Sequence, residues 1–165
     1  MRVRLALPDD LPAIASIYDR EVLTSTATMD TVARTDAEHQ AWLEAHPADA
    51  YPAFVAERAG TVLGWSSLTA FSPRRGYDRC AEVSVYVHHE HRGEGVGLRL
   101  MRELIAASQA LGFRHLVSRI EASGEASLAL HARYGFTRAG TLHQVAEKFG
   151  RPLDVALLEL LLPPT

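Results

Sequence analysis

The sequence contains a single cysteine, Cys80, in 165 residues. One cysteine excludes an internal disulfide and is typical of a protein kept in a reducing compartment. The chain also has no excess of positive charge. Its net charge of −3 at pH 7 argues against general binding to nucleic acid or to anionic membranes. The N-terminal apolar run is too short for a signal peptide, and Glu159 interrupts the apolar run over residues 155–162. We therefore expect a soluble, cytoplasmic protein.

The composition that is present indicates one globular domain. Hydrophobic residues make up 47% of the chain and charged residues 22%, as in ordinary soluble proteins. A chain of 165 residues can bury a core without disulfides or metal ions. We expect a single domain that spans residues 1–165.

The most informative stretch covers residues 82–97. Val83, Val85 and Val87 alternate with polar residues, which predicts a half-buried strand. A polar turn and the segment Gly93-Glu94-Gly95-Val96-Gly97 follow, and apolar residues then recur at helical spacing. The pattern predicts a strand, a glycine-rich turn and a helix.

Such a turn is suited to bind a diphosphate. The first N–H groups of a helix lack intrahelical partners, the helix dipole adds partial positive charge there, and glycines let the backbone approach a bulky anion. Two other nucleotide motifs match poorly. No Lys-Ser/Thr follows the last glycine, as a Walker loop requires, and Gly93-x-Gly95-x-Gly97 is not the dinucleotide pattern Gly-x-Gly-x-x-Gly. An ordinary strand-to-helix turn is the alternative at this point.

The whole chain is predicted to follow the order β-α-α-β-β-β-α-β-α-β-β. This order indicates an α/β domain with a mixed central sheet of about seven strands, flanked by about four helices. The predicted strands cover residues 3–7, 51–58, 61–70, 82–87, 113–120, 141–149 and 153–162, and the predicted helices cover 8–22, 35–46, 98–111 and 123–134.

This order, with Arg92-x-x-Gly95-x-Gly97 after the fourth strand, resembles the GNAT acetyltransferase superfamily along essentially the whole chain. The resemblance is narrower still, to the phosphinothricin and methionine-sulfoximine N-acetyltransferases. It is carried by residues 17–31 (IYDREVLTSTATMDT), 51–68 (YPAFVAERAGTVLGWSSL), 82–97 (EVSVYVHHEHRGEGVG), 126–136 (ASLALHARYGF) and 147–154 (EKFGRPLD).

The resemblance implies the GNAT fold and an activity. The expected reaction moves an acetyl group from acetyl-CoA to the primary amine of a small amino-acid-like acceptor, by direct attack through a tetrahedral intermediate. It also implies a homodimer. A protein N-terminal or lysine acetyltransferase is an alternative, and so is a coenzyme A-binding sensor without turnover.

Acetyl transfer needs a base for the ammonium form of the amine and a proton for the leaving thiolate. Glu82 lies near the start of the central strand, and burial there would favour proton uptake, so we expect it to be the base. A surface glutamate is the alternative. The resemblance implies that His131 is the acid, since the resembling enzymes carry histidine there, and imidazole titrates near neutrality. Helix packing of His131 is an alternative, and Tyr134 or water could protonate the thiolate instead.

Coenzyme A contacts are expected along the central strand, at the turn and on the following helices. The resemblance implies that strand backbone groups bind the pantetheine amides and that an N–H polarises the thioester carbonyl. At Gly124 the family usually has asparagine, which weakens one expected side-chain contact. The expected cofactor residues are Val85, Tyr86, Val87, Arg92, Gly93, Glu94, Gly95, Val96, Gly97, Leu98, Gly124, Ser127, Arg133 and Tyr134.

The acceptor is expected to contact the loop over residues 71–78, which precedes the central strand. This loop contains Arg74 and Arg75, and a guanidinium binds a carboxylate bidentately. A solvated basic loop is the alternative. Glu147 and Pro152 depart from the family pattern, so the acceptor can differ from that of the relatives. The expected acceptor residues are Thr28, Met29, Arg74, Arg75, Gly76, Tyr77 and Lys148.

His88, His89 and His91 lie close together in sequence but do not indicate a metal site. No cysteine or carboxylate partner has ligand spacing beside them. We expect solvated or adenosine-facing histidines.

Overall fold

The computed structural model describes residues 1–163, which form a seven-stranded mixed sheet with four α-helices. The elements are β1 (Arg2–Leu5), α1 (Leu11–Thr24), α2 (Asp36–Glu44), β2 (Ala53–Arg58), β3 (Thr61–Ala70), β4 (Cys80–Val87), α3 (Val96–Ala110), β5 (His115–Glu121), α4 (Glu125–Arg133), β6 (Thr137–Lys148) and β7 (Arg151–Leu161). The predicted element order and fold class are confirmed.

The strand order in the sheet is β1-β2-β3-β4-β5-β7-β6. Neighbouring strands are antiparallel except β4 and β5, which are parallel because α3 carries the chain back across the sheet. The last strand, β7, lies between β5 and β6, and Val155, Leu158 and Leu162 in and beside it are buried. The apolar run at the end of the chain is therefore an inner strand.

The two faces of β4 contact different helices. Val83 packs with Met101 and Leu104 of α3. Tyr86 packs on the opposite face, against Tyr18 of α1 and Trp65 of β3. The alternation predicted for this strand is present, and it places Glu82 on the Tyr86 face because side chains two residues apart share a face.

The ladder between β4 and β5 is short. It pairs Cys80 with His115, Ala81 with Leu116 and Glu82 with Val117, and it stops there. Beyond these pairs the two strands separate, so β4 has backbone groups facing a gap in the sheet rather than a neighbouring strand.

Several predicted boundaries were wrong. β6 begins at Thr137 rather than residue 141, and its pairing with β7 shifts register between Arg138 and Gly140 and again between Leu142 and Ala146. Such bulges break the two-residue alternation from which strands are predicted. Within residues 1–163, every helix is too short or too polar to cross a membrane.

Candidate active site

The turn before α3 presents a row of free backbone donors. Gly93 and Gly95 both have φ of +79°, which only glycine adopts without strain. No heavy atom lies within 4 Å of where a Cβ would stand on either residue, so the space above them is open. Among residues 1–163, no acceptor is found for the N–H groups of residues 93–98. These donors and the helix dipole favour an anion at this turn.

Gly97 serves another purpose. A Cβ there would lie 3.2 Å from Cδ2 of Leu130, so the missing side chain lets α3 and α4 pack closely. The three glycines of the turn thus have two different functions, since two open the backbone to solvent and one brings two helices together.

The side chains of Arg92 and Glu94 are engaged elsewhere. Arg92 donates a hydrogen bond to the buried carboxylate of Glu21 in α1, although 56% of the Arg92 side chain is exposed. The Glu94 carboxylate is paired with His91 at 3.1 Å and with Arg58 at 2.8 Å, and these hydrogen bonds lower its pKa. The exposed surface of Arg92 leaves it open to an anion as well, so its cofactor role stays a prediction.

Glu82 is held by a partner that the sequence did not indicate. Nε and Nη2 of Arg119 in β5 donate to Oε1 and Oε2 of Glu82 at 2.7 and 2.6 Å. The Glu82 side chain is 19% exposed. The carboxylate therefore lies at the point where β4 and β5 separate, bonded on one side and open to solvent in part.

His131 is buried and has partners at both ring nitrogens. Nδ1 donates to the carbonyl oxygen of Ser127 at 2.7 Å, so Nε2 accepts from the hydroxyl of Ser118 at 2.8 Å. Burial lowers the pKa of His131, which keeps the ring neutral at pH 7. The geometry favours the packing alternative over an acid role. Tyr134 is only partly buried, and its hydroxyl donates to the carbonyl of Leu98 at the start of α3.

Other expected cofactor residues surround the gap between β4 and β5. Val85 and Val87 pack toward α3, and the Tyr86 ring stacks on Trp65 at 4.8 Å, so all three residues have only their backbone groups to offer in the gap. Gly124 is the N-cap of α4, and a Cβ on it would lie 3.0 Å from the carbonyl oxygen of Glu121. Ser127 is half-buried and Arg133 is exposed.

The loop after α1, residues 25–35, forms hydrogen bonds with three strands. Tyr86 of β4 and Glu121 of β5 contact this loop through the Ala27 carbonyl oxygen and the Thr26 hydroxyl. Lys148 of β6 donates from Nζ to the carbonyl oxygen of Thr28 at 2.8 Å. These contacts hold the loop against the Glu82 face of the sheet.

Two of the expected acceptor residues are turned inward. Thr28 is buried and its hydroxyl is 3.0 Å from that of Tyr18. Lys148 is also buried, and burial lowers its pKa. The structure places Lys148 under the loop, as an anchor for it, whereas Met29 remains half-buried.

The remaining acceptor candidates are exposed. Arg74 precedes a short turn, Arg75–Tyr77, that contains Gly76, and the Tyr77 ring packs against Phe71 at 5.3 Å. Neither arginine forms an ion pair within residues 1–163, and the structure does not bring either one into contact with Glu82. Their role stays a prediction.

Comparison with known proteins decides the family. The sequence profile described as "Acetyltransferase (GNAT) family" matches residues 14–136. This chain belongs to the GNAT acetyltransferase family. It is 40% identical over 157 residues to the L-methionine sulfoximine/L-methionine sulfone acetyltransferase of Pseudomonas paraeruginosa, with 94% of this chain and 91% of that protein covered.

Two further relatives agree with this assignment. The phosphinothricin N-acetyltransferase of Alcaligenes faecalis is 40% identical over 158 residues, with 95% of this chain and 80% of that protein covered. A crystal structure of a phosphinothricin acetyltransferase from Sinorhizobium meliloti with acetyl-CoA has a TM-score of 0.94 at 33% identity, with 99% of this chain and 92% of that chain covered. The family and the enzyme class predicted from the sequence are confirmed.

Acetyl-CoA is the co-substrate of this GNAT acetyltransferase, and the residues present fit it. The free N–H groups of residues 93–98 suit its diphosphate, and the unpaired part of β4 beyond Glu82 offers backbone groups to its amides. Among the described residues, no group of three or more His, Cys, Asp or Glu side chains is placed to hold a metal ion. His88 instead lies with its ring centre 4.5 Å from that of His89 and 5.5 Å from that of His91.

Three charged residues that contact the candidate site were not predicted from the sequence: Glu21, Arg119 and Glu121. Glu21 contacts Arg92 from 71 residues away, which only the fold can bring about. Arg119 gave no distinctive signal, because it is one of four polar or charged residues among the seven of β5. Glu121 is a buried carboxylate that accepts from the backbone N–H and the hydroxyl of Ser123.

Proposed function

We propose that this GNAT acetyltransferase moves the acetyl group of acetyl-CoA to the primary amine of a small amino-acid-like acceptor, such as methionine sulfoximine or phosphinothricin. The observation that carries the proposal is the position of Glu82. Its carboxylate stands where β4 and β5 separate, on the strand that leads into the free N–H groups of residues 93–98.

In this proposal Glu82 takes the proton of the acceptor ammonium, directly or through water, so that the amine can attack the thioester carbonyl. A backbone N–H of β4 in the gap would stabilise the oxyanion of the tetrahedral intermediate. Tyr134 is the better candidate to protonate the thiolate, because its hydroxyl lies at the start of α3 while His131 is buried and neutral.

The other expected site residues would contact acetyl-CoA or the acceptor. The backbones of residues 85–87 and 93–98 would hold acetyl-CoA, with Arg92, Gly124, Ser127, Arg133 and Tyr134 around it. Arg74, Arg75, Gly76, Tyr77 and Met29 would border the acceptor. Thr28 and Lys148 would act on the acceptor indirectly, by fixing the loop after α1.

We also propose that residues 1–165 form one domain, that the protein acts in the cytoplasm, and that it is a homodimer. The exposed apolar side chains of Val145 and Phe149 on the hairpin of β6 and β7 support the last point.

Thiol release from acetyl-CoA tests the activity. The acceptors are methionine sulfoximine, phosphinothricin, the common amino acids and a peptide with a free N-terminus and a lysine. We expect release with small amino acids and no release with the peptide. Release with the peptide alone would favour a protein acetyltransferase, and binding of acetyl-CoA without release to any acceptor would favour a sensor.

A further inference from the structure

The guanidinium of Arg119 has an unused edge. Its Nε and Nη2 atoms donate to the two oxygens of Glu82. A guanidinium carries five N–H donors in one plane, so this pairing leaves both donors of Nη1 and one of Nη2. In the described part of the chain these donors meet no acceptor, and 61% of the side chain is exposed.

The neighbouring carboxylate does not compete for that edge. Glu121 lies two residues beyond Arg119 on the same face of β5. Its oxygens already accept from the N–H of Ser123 at 3.1 Å, from the Ser123 hydroxyl and from the Thr26 hydroxyl at 3.3 Å. Among the described residues Arg119 donates to no anion other than Glu82, and its side chain is largely exposed, so its remaining donors are accessible to solvent.

The Glu82–Arg119 pair lies where the ladder between β4 and β5 ends. Val117 is the last β5 residue paired with β4, and Arg119 follows it on the same face just where the strands separate. A carboxylate and a guanidinium therefore stand side by side at the opening of the gap. An α-amino acid carries the opposite arrangement, an ammonium next to a carboxylate, so the pair is complementary to a zwitterion.

We propose that the free Nη1/Nη2 edge of Arg119 binds the carboxylate of the acceptor while its other edge holds Glu82 in place to receive the proton of the amine. This inference rests on the proposed function and names the substrate class more narrowly. It predicts selection of α-amino acids over amines that lack a neighbouring carboxylate, including the side-chain amine of lysine in a protein. Arg119, rather than Arg74 or Arg75, is then the main determinant of that preference.

Two acceptors that differ only in the carboxylate test the proposal: L-methionine sulfone and 3-(methylsulfonyl)propylamine. The measured quantity is the ratio of kcat/KM for the acid to kcat/KM for the amine, at saturating acetyl-CoA. In Arg119→Ala we expect this ratio to fall roughly ten- to a hundredfold, because hydrogen bonds to a charged group are lost. Arg119→Lys should regain part of the ratio, since the charge returns without the planar fork.

Arg102→Ala is the matched control. Arg102 is 62% exposed and also pairs with a glutamate, Glu103, on the outer side of α3. Its ratio should stay within about twofold of the native value, as is usual for surface substitutions away from a site. Calorimetric titration with acetyl-CoA checks that each variant is folded.

Glu82→Gln distinguishes the role of the Arg119 edge that holds Glu82 from the role of the edge that would bind the acceptor carboxylate. It should lower turnover of both acceptors by the same factor and keep the ratio, because glutamine still offers Arg119 an oxygen. The proposal would be overturned if the kcat/KM ratio in Arg119→Ala and Arg119→Lys equalled that of the native protein. It would also be overturned if the ratio fell only in Arg74→Ala or Arg75→Ala. Equal losses for both acceptors in Arg119→Ala would also overturn it, by limiting Arg119 to holding Glu82. If the native enzyme acetylates neither acceptor nor any other small amine, the proposed function itself fails and the inference falls with it.

Discussion

Each oxygen of the Glu82 carboxylate accepts one hydrogen bond from Arg119 and keeps a further lone pair. An acceptor ammonium can therefore donate to Glu82 without displacing the guanidinium. The pairing raises the pKa of Arg119, so the guanidinium stays charged throughout. At the scale of single residues, Arg119 thus fixes the orientation of the Glu82 carboxylate, as the proposed role of Glu82 as a base requires.

Replacing Glu82 by glutamine should abolish most of the proton transfer and little else. We expect kcat to fall roughly a hundred- to ten-thousandfold, the usual contribution of a general base. The Kd for acetyl-CoA should stay nearly unchanged, because the expected cofactor contacts are backbone groups of β4 and residues 93–98. Glu103→Gln, on the outer side of α3, is the control, and a parallel loss of turnover and cofactor affinity in Glu82→Gln would count against the base.

His131 should make the protein less stable in acid. Burial lowers its pKa below the ordinary 6.5, so at pH values under 6.5 the unfolded chain binds a proton that the native ring refuses. Stability then falls as the pH drops from 6.5 toward the native pKa. We expect His131→Asn to show a smaller difference between urea midpoints at pH 7.5 and 5.5 than the native protein, whereas exposed His89→Asn should not. If His131→Asn instead removes turnover and leaves this difference intact, His131 is an acid after all.

Glu82 could be singled out from the sequence because its place in an alternating strand fixes the face on which it lies. Its partner could not, since Arg119 is 37 residues away and meets it only through the parallel register of β4 and β5. The same limit applies to Lys148, whose buried contacts with the loop after α1 span 120 residues.

At the scale of elements, the turn before α3 was predictable and its glycines were not equivalent. The sequence indicated the turn because valine alternation ends, glycines follow and helical spacing begins. It did not indicate that Gly95 is open to solvent while Gly97 packs against Leu130. The separation of β4 from β5 was implied only by family resemblance, because strand pairing depends on register rather than on composition.

Gly95→Ala tests the anion-binding turn, and Gly60→Ala is a close control. Both glycines have φ near +80°, at +79° and +81°, and neither has a heavy atom within 4 Å of a new Cβ. Both alanines should therefore cost a similar free energy of unfolding, about 1–2 kcal/mol. Only Gly95→Ala should weaken acetyl-CoA binding, by roughly tenfold, because it disturbs donors to a charged group. Equal Kd values for the two variants in calorimetry would place the diphosphate elsewhere.

At the scale of the whole molecule, the hairpin of β6 and β7 carries exposed apolar side chains beyond the edge of the core. Val145 is 53% exposed and Phe149 is 58% exposed. In a homodimer that uses this hairpin, Val145→Glu should shift sedimentation equilibrium from twice the chain mass to the chain mass, because a buried charge without a partner is costly. Leu7→Glu is the control, since Leu7 is also 53% exposed but follows β1 at the opposite edge of the sheet. A native protein that sediments as a monomer would remove the proposed homodimer.

Backbone amides just after the strand that carries Glu82 are expected to bind the diphosphate of coenzyme A. Titration of uniformly 15N-labelled protein with coenzyme A, followed by amide chemical shifts, tests this directly. The largest shifts should fall on residues 93–98 and on β4 beyond Glu82, while ATP, which carries phosphates without pantetheine, should leave the β4 amides unmoved. Shifts that miss residues 93–98, or the same pattern with ATP as with coenzyme A, would contradict it.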